Sequence, residues 1–105
     1  MMKTLKTYNQ LFEKRINIKD YLENDGDPNG GSFPNFSYLH GAVLNDDYND
    51  VILLLDAGAD INIRNNDGRT PLMMAVTNYN KDIVKLLIDR GADVNLVSYE
   101  RNYLL

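Results

Sequence analysis

Hydrophobic and polar residues follow each other along the chain in a pattern that repeats every 33 residues. The apolar run VILLL at 51–55 leads to GADIN at 58–62, and the run IVKLLI at 83–88 leads to GADVN at 91–95. A shorter apolar segment stands before each run, LHGAV and then LMMAV. A fixed period of this length is typical of a chain built from stacked structural units.

Local signals within one period predict a turn, a short helix, a second turn and a longer helix. Thr70-Pro71 combines an N-cap residue with a proline in the first helical turn. A second helix is expected over roughly residues 82–89, and because it is apolar nearly all round we expect neighbours to bury it on both sides. Gly91 is expected to end that helix in the left-handed conformation. Asp67-Gly68 is a tight-turn signal.

These residues resemble a known family. The stretches DGRTPLMMAV at 67–76 and DIVKLLIDRGADVN at 82–95 closely resemble the ankyrin repeat. The resemblance implies an all-α ankyrin-repeat solenoid of stacked helix-turn-helix units joined by β-hairpin-like loops. We expect one domain over 1–105, with a degenerate N-terminal cap repeat at 4–34, repeats at 35–67 and 68–98, and a partial repeat or C-terminal cap at 99–105.

The cap repeat and both clear repeats depart from the family pattern. In the cap repeat, one helix is expected to carry Leu5, Tyr8, Leu11 and Phe12 and the next to carry Ile18, Tyr21 and Leu22. Further along, Ser37-Tyr38 replaces Thr-Pro, Met73 replaces the usual histidine, and Asp46 and Tyr79 replace the usual glycine between helices. These changes weaken the predicted helix start of the first clear repeat and leave the fold assignment in place.

The C-terminal end of the solenoid leaves two alternatives open. The helix over residues 83–88 lacks a following unit, so its outer face needs cover. Either Tyr99, Tyr103, Leu104 and Leu105 fold over that face, or the face pairs with another chain. The sequence therefore predicts a monomer, with weak self-association through the C-terminal face as the alternative.

Composition and charge restrict the classes of partner. Apolar residues make up 44% and charged residues 25% of the 105-residue chain, which is ordinary for a globular domain, and there is no cysteine. No apolar run is long enough for a membrane span, and the basic N-terminus lacks the apolar stretch of a signal peptide, so we expect a cytoplasmic protein. The formal charge is −4, and residues 20–63 hold nine acids with no lysine or arginine. An acidic segment of this kind disfavours nucleic acid and favours a basic protein partner.

Candidate chemistry is sparse. The single histidine, His40, stands where the ring in ankyrin repeats hydrogen-bonds to the hairpin backbone, so the resemblance implies a structural role. One histidine without cysteine supports neither a transition-metal site nor a nucleophilic triad. The segment DGDPNG at 25–30 matches the first half of a calcium loop, but Phe36 occupies the position of the closing glutamate. We therefore predict no enzyme, no cofactor and no metal.

The resemblance places partner binding on a surface. Ankyrin-like proteins bind partners through hairpin tips and the exposed start of the inter-helix turn, and the acids Asp46 and Asp47 lie beside that turn. Aromatic and arginine side chains are frequent binding hot spots, although Phe33 and Phe36 have the alternative of folding back onto the N-terminal cap. The candidate partner-binding residues are Phe33, Phe36, Leu44, Asn45, Asp46, Asp47, Arg64, Asn66, Asp67, Arg69, Thr77, Asn78 and Tyr99.

Two functional hypotheses follow. The first is a non-catalytic protein–protein interaction module, an adaptor or inhibitor, which binds its partner on the concave hairpin-tip face. The second is an immunity or antitoxin protein, which neutralises a basic toxin with the acidic band of Asp46, Asp47 and Asp50. The hypotheses differ in which surface carries the binding energy, either the hairpin tips or the acidic band.

Overall fold

The computed structural model describes residues 16–33 and 36–99. Within these residues the chain forms five helices and one short antiparallel hairpin, so the predicted helical repeat fold is confirmed. The expected helix with Leu5, Tyr8, Leu11 and Phe12 lies outside the described residues. The elements are α1 (Ile18–Glu23), β1 (Gly31–Phe33), β2 (Phe36–Ser37), α2 (Tyr38–Leu44), α3 (Tyr48–Asp56), α4 (Pro71–Thr77) and α5 (Lys81–Asp89).

Each described helix begins at a side-chain cap. The hydroxyl of Thr70 accepts a hydrogen bond from the backbone N–H of Met73 at 3.3 Å, and Pro71 opens α4, as the sequence predicted. Ser37 caps α2 in the same way, accepting from the N–H of His40 at 3.1 Å. A serine in place of threonine therefore preserves the cap, because either hydroxyl satisfies a free donor of the first turn. Asn17, Asp47 and Asn80 cap the other three helices.

Helices α2 to α5 end in the same backbone motif. Gly58 and Gly91 follow α3 and α5 with φ of 98° and 93°, which confirms the predicted role of Gly91. The inner helices α2 and α4 end in the same way, but at Asp46 and Tyr79, with φ of 58° and 57°. In all four, the next two N–H groups bond back to carbonyls of the last turn. The departures from glycine thus keep the geometry, at a steric cost of about 1 kcal/mol for each side chain.

The core lies between successive units. Helix α2 packs alongside α4, α3 packs against α5, and α1 packs against α3. Leu39, Leu54 and Leu87 are fully buried there. The expectation that α5 is buried on both sides was wrong, because Val84 is only half-buried and Ile88 is exposed. No described neighbour covers that side of α5, so its apolar composition does not lead to full burial.

Polar side chains also join the units. The side-chain oxygen of Asn29 accepts from the N–H of Asp60 at 2.6 Å, and that of Asn62 accepts from the N–H of Asp93 at 2.8 Å. The partner of Asn62 lies 31 residues further along the chain, in the next unit. The recurring asparagine therefore connects each unit to the next one, which explains why it recurs with the period.

Candidate functional site

The hairpin formed by β1 and β2 directs Phe36 toward its own repeat. Phe36 is half-buried, packs against the core and stacks on the ring of His40 with the centroids 5.8 Å apart. Phe33 pairs with Phe36 through the backbone, and its side chain lies outside the described part of the chain. Phe36 therefore uses part of its surface inside the repeat, and its contact with a partner stays a prediction.

His40 joins two units in the manner that the resemblance implied. The ring is fully buried, and its Nε2 donates to the carbonyl oxygen of Arg69 at 2.9 Å. A carbonyl can only accept, so Nε2 carries the proton of the neutral ring and Nδ1 accepts from the hydroxyl of Ser37 at 2.8 Å. Burial lowers the pKa of His40 below its ordinary value, although the bond to Arg69 acts in the opposite direction. His40 is thus a neutral structural residue.

In the loop between α3 and α4, Arg64 makes its contacts within the molecule. Arg64 donates to the carbonyl oxygens of Gly68 at 3.0 Å and Val97 at 2.9 Å, and its guanidinium lies 5.3 Å from the ring centroid of Tyr99. Arg64 therefore connects successive loops, and its contact with a partner stays a prediction. Tyr99 keeps about half of its surface exposed while it contacts that guanidinium.

The remaining hairpin candidates differ in exposure. Asn66 and Asp67 are exposed in the loop between α3 and α4, whereas Arg69 is half-buried in the same loop. The backbone of Asp67 is engaged, because its carbonyl accepts from the N–H of Tyr99 at 2.9 Å. The side chains of Asn66 and Asp67 therefore offer only a small polar contact surface in this loop.

A groove lies between the inter-helix turns. A cavity of about 720 Å³ lies between the turn after α2 and the turn after α4. It brings together three predicted site residues, Leu44, Asp46 and Asn78, all of them exposed. The carboxylate of Asp46 accepts from the side-chain amide of Asn80, which ties the two turns to each other. Three other predicted residues, Asn45, Asp47 and Thr77, are exposed on the same turns but do not line the cavity.

Tyr79 is the site residue that the sequence reasoning missed. It lines the cavity, is 89% exposed and occupies the left-handed position that glycine fills at the ends of α3 and α5. A bulky residue with positive φ is a genuine outlier, and such strain is concentrated at functional sites. The signal was present in the sequence as the replacement of the usual glycine by an aromatic residue.

The acidic band has structural roles of its own. Asp47 caps α3 by accepting from the N–H of Asp50 at 3.1 Å. Burial, together with a hydrogen bond and the like charge of Asp47, raises the pKa of Asp50 from 3.8 to about 6. One acid of the band therefore already serves as the N-cap of α3. A basic partner for these acids stays a prediction.

The raised pKa of Asp50 predicts a pH-dependent loss of stability. The unfolded chain ionises near the ordinary value of 3.8, whereas the folded chain keeps the proton up to about 6. The stabilisation from Asp50 is therefore present at low pH and is lost as the pH rises from about 4 to 6. We expect Asp50→Asn to raise the free energy of unfolding at pH 7 more than at pH 4, as measured by urea titration. An equal effect of the substitution at the two pH values would contradict this assignment.

The segment that resembles a calcium loop serves another purpose. The carboxylate of Asp27 accepts from the N–H of Asn29 at 2.8 Å, and Asn29 itself holds Asp60. Across residues 16–33 and 36–99, no cluster of three or more histidine or acidic side chains is arranged to hold a metal ion. The described helices also include none with the length and apolar character to cross a membrane.

Comparison with known proteins agrees with this architecture. A family model described as ankyrin repeats, in three copies, matches residues 9–105. Over 26 residues the chain is 65% identical to the fibronectin type 3 and ankyrin repeat domains 1 protein of Mus musculus. That match covers 25% of this chain and 8% of the mouse protein, so the similarity concerns a short part of a much longer relative.

Proposed function

Because the chain belongs to the ankyrin-repeat family, we propose that it is a protein-binding adaptor or inhibitor that holds its partner in the groove between the inter-helix turns. Ankyrin repeats generally mediate protein–protein interaction, and the family is typically non-catalytic. The exposed, strained Tyr79 at the edge of this groove carries the proposal.

The chemistry of the groove suits a partner segment of mixed character. Tyr79 and Leu44 offer apolar surface, and tyrosine is among the residue types enriched at binding hot spots. Asp46, Lys81 and Asp82 also line the groove with charges of both signs, and most of its lining is polar. We therefore propose a partner that places an apolar side chain beside Tyr79 and polar groups against the rest of the lining.

This location refines the expected binding face. The hairpin tips were expected to supply aromatic and cationic anchors. However, Phe36 stacks on His40, and Arg64 donates to the carbonyl of Val97. A partner that displaced these internal contacts would lower the stability of the fold. The side chains that line the groove include Tyr79 and Leu44, which keep free apolar surface. The inter-helix turns are therefore the better-supported site, with Asn66 and Asp67 as a secondary polar contact.

Replacing Tyr79 with glycine should separate binding from stability. Glycine accepts the observed φ without a steric cost, so we expect the free energy of unfolding to stay unchanged or to rise by up to about 1 kcal/mol. The affinity for the partner should fall by about 2 kcal/mol, or roughly 30-fold, as for a hot-spot truncation. Once a partner has been isolated with the wild-type chain, isothermal titration calorimetry measures this loss.

Tyr48→Ala provides the matched control for that experiment. Tyr48 is an exposed tyrosine at the start of α3 that does not line the groove, so its removal should leave the affinity unchanged. Leu44→Ser should weaken binding in the same direction as Tyr79→Gly. If Tyr79→Gly and Leu44→Ser bind as tightly as the wild-type chain while Tyr48→Ala does not, the partner uses the outer helices instead.

A further inference from the structure

The sequence contains one asparagine–glycine pair, Asn29-Gly30, and the structure places it in the joint between the first two units. The Oδ1 atom of Asn29 accepts from the N–H of Asp60 at 2.6 Å, so this side chain holds the first unit on the second. Asn29 is nevertheless exposed to solvent. A side chain that connects two units is therefore also accessible to water.

An asparagine followed by glycine can react with its own backbone. The backbone nitrogen of the glycine loses its proton to hydroxide and attacks Cγ of the asparagine. The new N–Cγ bond closes a succinimide ring, and the Cγ–Nδ2 bond breaks to release ammonia. Water then opens the ring at either carbonyl and leaves aspartate or isoaspartate, so the net reaction consumes water, releases ammonia and needs no oxidant. Glycine favours the attack because it has no Cβ to obstruct the approach and its backbone is the least restricted.

Both reacting groups of the pair are engaged in the folded chain. The N–H of Gly30 donates to the carbonyl oxygen of Asp27 at 2.8 Å, so this nitrogen keeps its proton and its N–H is directed at Asp27. The side-chain amide of Asn29 is directed at Asp60 in the next unit. The N–H of Asn29 also donates to the carboxylate of Asp27 at 2.8 Å. Ring closure needs the nitrogen of Gly30 to face Cγ of Asn29, so the joint must open before the reaction proceeds.

We propose that Asn29 is a deamidation site that reacts when the first unit separates from the second, and that the modification then weakens this joint. Isoaspartate routes the backbone through the former side chain, which displaces the oxygen that accepts from Asp60. Aspartate keeps an oxygen there but adds a negative charge beside the carboxylates of Asp27 and Asp60. Either product therefore favours the open joint. This site is separate from the groove between the inter-helix turns, and its test reads the mass of the chain instead of partner affinity.

Mass spectrometry of the full chain, aged in neutral buffer and in concentrated urea, measures the reaction. Trypsin releases residues 20–64 as one peptide, because no lysine or arginine lies between Lys19 and Arg64, so one peptide reports on both Asn29 and Asn62. Conversion of Asn29 should be at least about tenfold faster in urea than in buffer, since only open chains react. Asn62 is the internal control. It holds the next unit in the same way but precedes Ile63, whose branched Cβ obstructs the attack, so it should stay unmodified in both solutions.

Ile18→Val tests whether opening of the first unit controls the reaction. Ile18 is buried on α1, which packs against α3, so the loss of a methyl group should populate the open joint. Conversion of Asn29 in buffer should become about two- to tenfold faster, whereas the rate in urea should stay the same because Asn29-Gly30 is unchanged. Ile88→Val removes the same atoms from an exposed position and should change neither rate.

The modified chain also has to be less stable. Deamidated protein carries one more negative charge, so ion exchange separates it from the unmodified chain. It should unfold at a lower urea concentration, and an unchanged midpoint would overturn the weakening of the joint. Equal rates of conversion in buffer and in urea for the wild-type chain would overturn the protection by the fold. An unchanged rate in buffer for Ile18→Val would overturn the control by the first unit.

Discussion

Leu54→Ala is expected to lower the free energy of unfolding by about 3 kcal/mol, because it leaves a cavity in a tightly packed core. Leu54 is fully buried on α3, which packs against α1 on one side and α5 on the other. A loss at that position therefore weakens the contacts of three successive units at once. Native domains have only about 5–15 kcal/mol of stability in total, so the loss is a large fraction.

Urea unfolding followed by circular dichroism measures this effect as a shift in midpoint at constant slope. Leu44→Ala is the matched control, since it removes the same atoms from an exposed position and should change stability by less than about 0.5 kcal/mol. Equal and small effects for the two leucines would contradict the packing of α3 between α1 and α5. A change in slope would instead indicate that the units no longer unfold together.

His40→Ala is expected to cost about 2–3 kcal/mol, the second-largest effect on folding. The substitution removes a fully buried ring together with its hydrogen bonds to the carbonyl of Arg69 and the hydroxyl of Ser37, each of which keeps one other bond. Each lost hydrogen bond costs about 0.5–1.5 kcal/mol, and the cavity adds to this. Met73→Ala, at the equivalent position one period later, is the control. Met73 is half-buried, so its truncation should cost less.

The effect of His40→Ala on stability should also depend on pH. Because the pKa of folded His40 lies below the ordinary 6.5, the unfolded chain binds a proton first. The stabilisation from His40 is therefore complete above pH 6.5 and is lost as the pH falls below that value. The stability difference between the wild-type chain and His40→Ala should shrink on acidification below pH 6.5. A difference that stays constant from pH 8 to pH 5 would contradict the burial of a neutral ring.

The period and the helix boundaries could be predicted from the sequence because their signals are local. Thr70 caps α4 through an N–H three residues away, and Gly91 ends α5 through its own backbone conformation. Such interactions depend on only a few neighbouring residues, so they can be recognised in the sequence. The structural role of His40 could also be predicted, but only through the resemblance, since its partner Arg69 is 29 residues away.

The sequence by itself determined that this chain is a stack of helical repeats with its asparagines and glycines at fixed places in each unit. Only the tertiary structure decided which side chains of that stack face water. Phe36 and Ile88 are both large and apolar, yet Phe36 packs on His40 while Ile88 stays exposed because no described unit follows α5. Tyr79 became a candidate site only when its neighbours left it uncovered. Exposure depends on which surfaces pack together across a whole repeat, and local residue patterns do not contain that information.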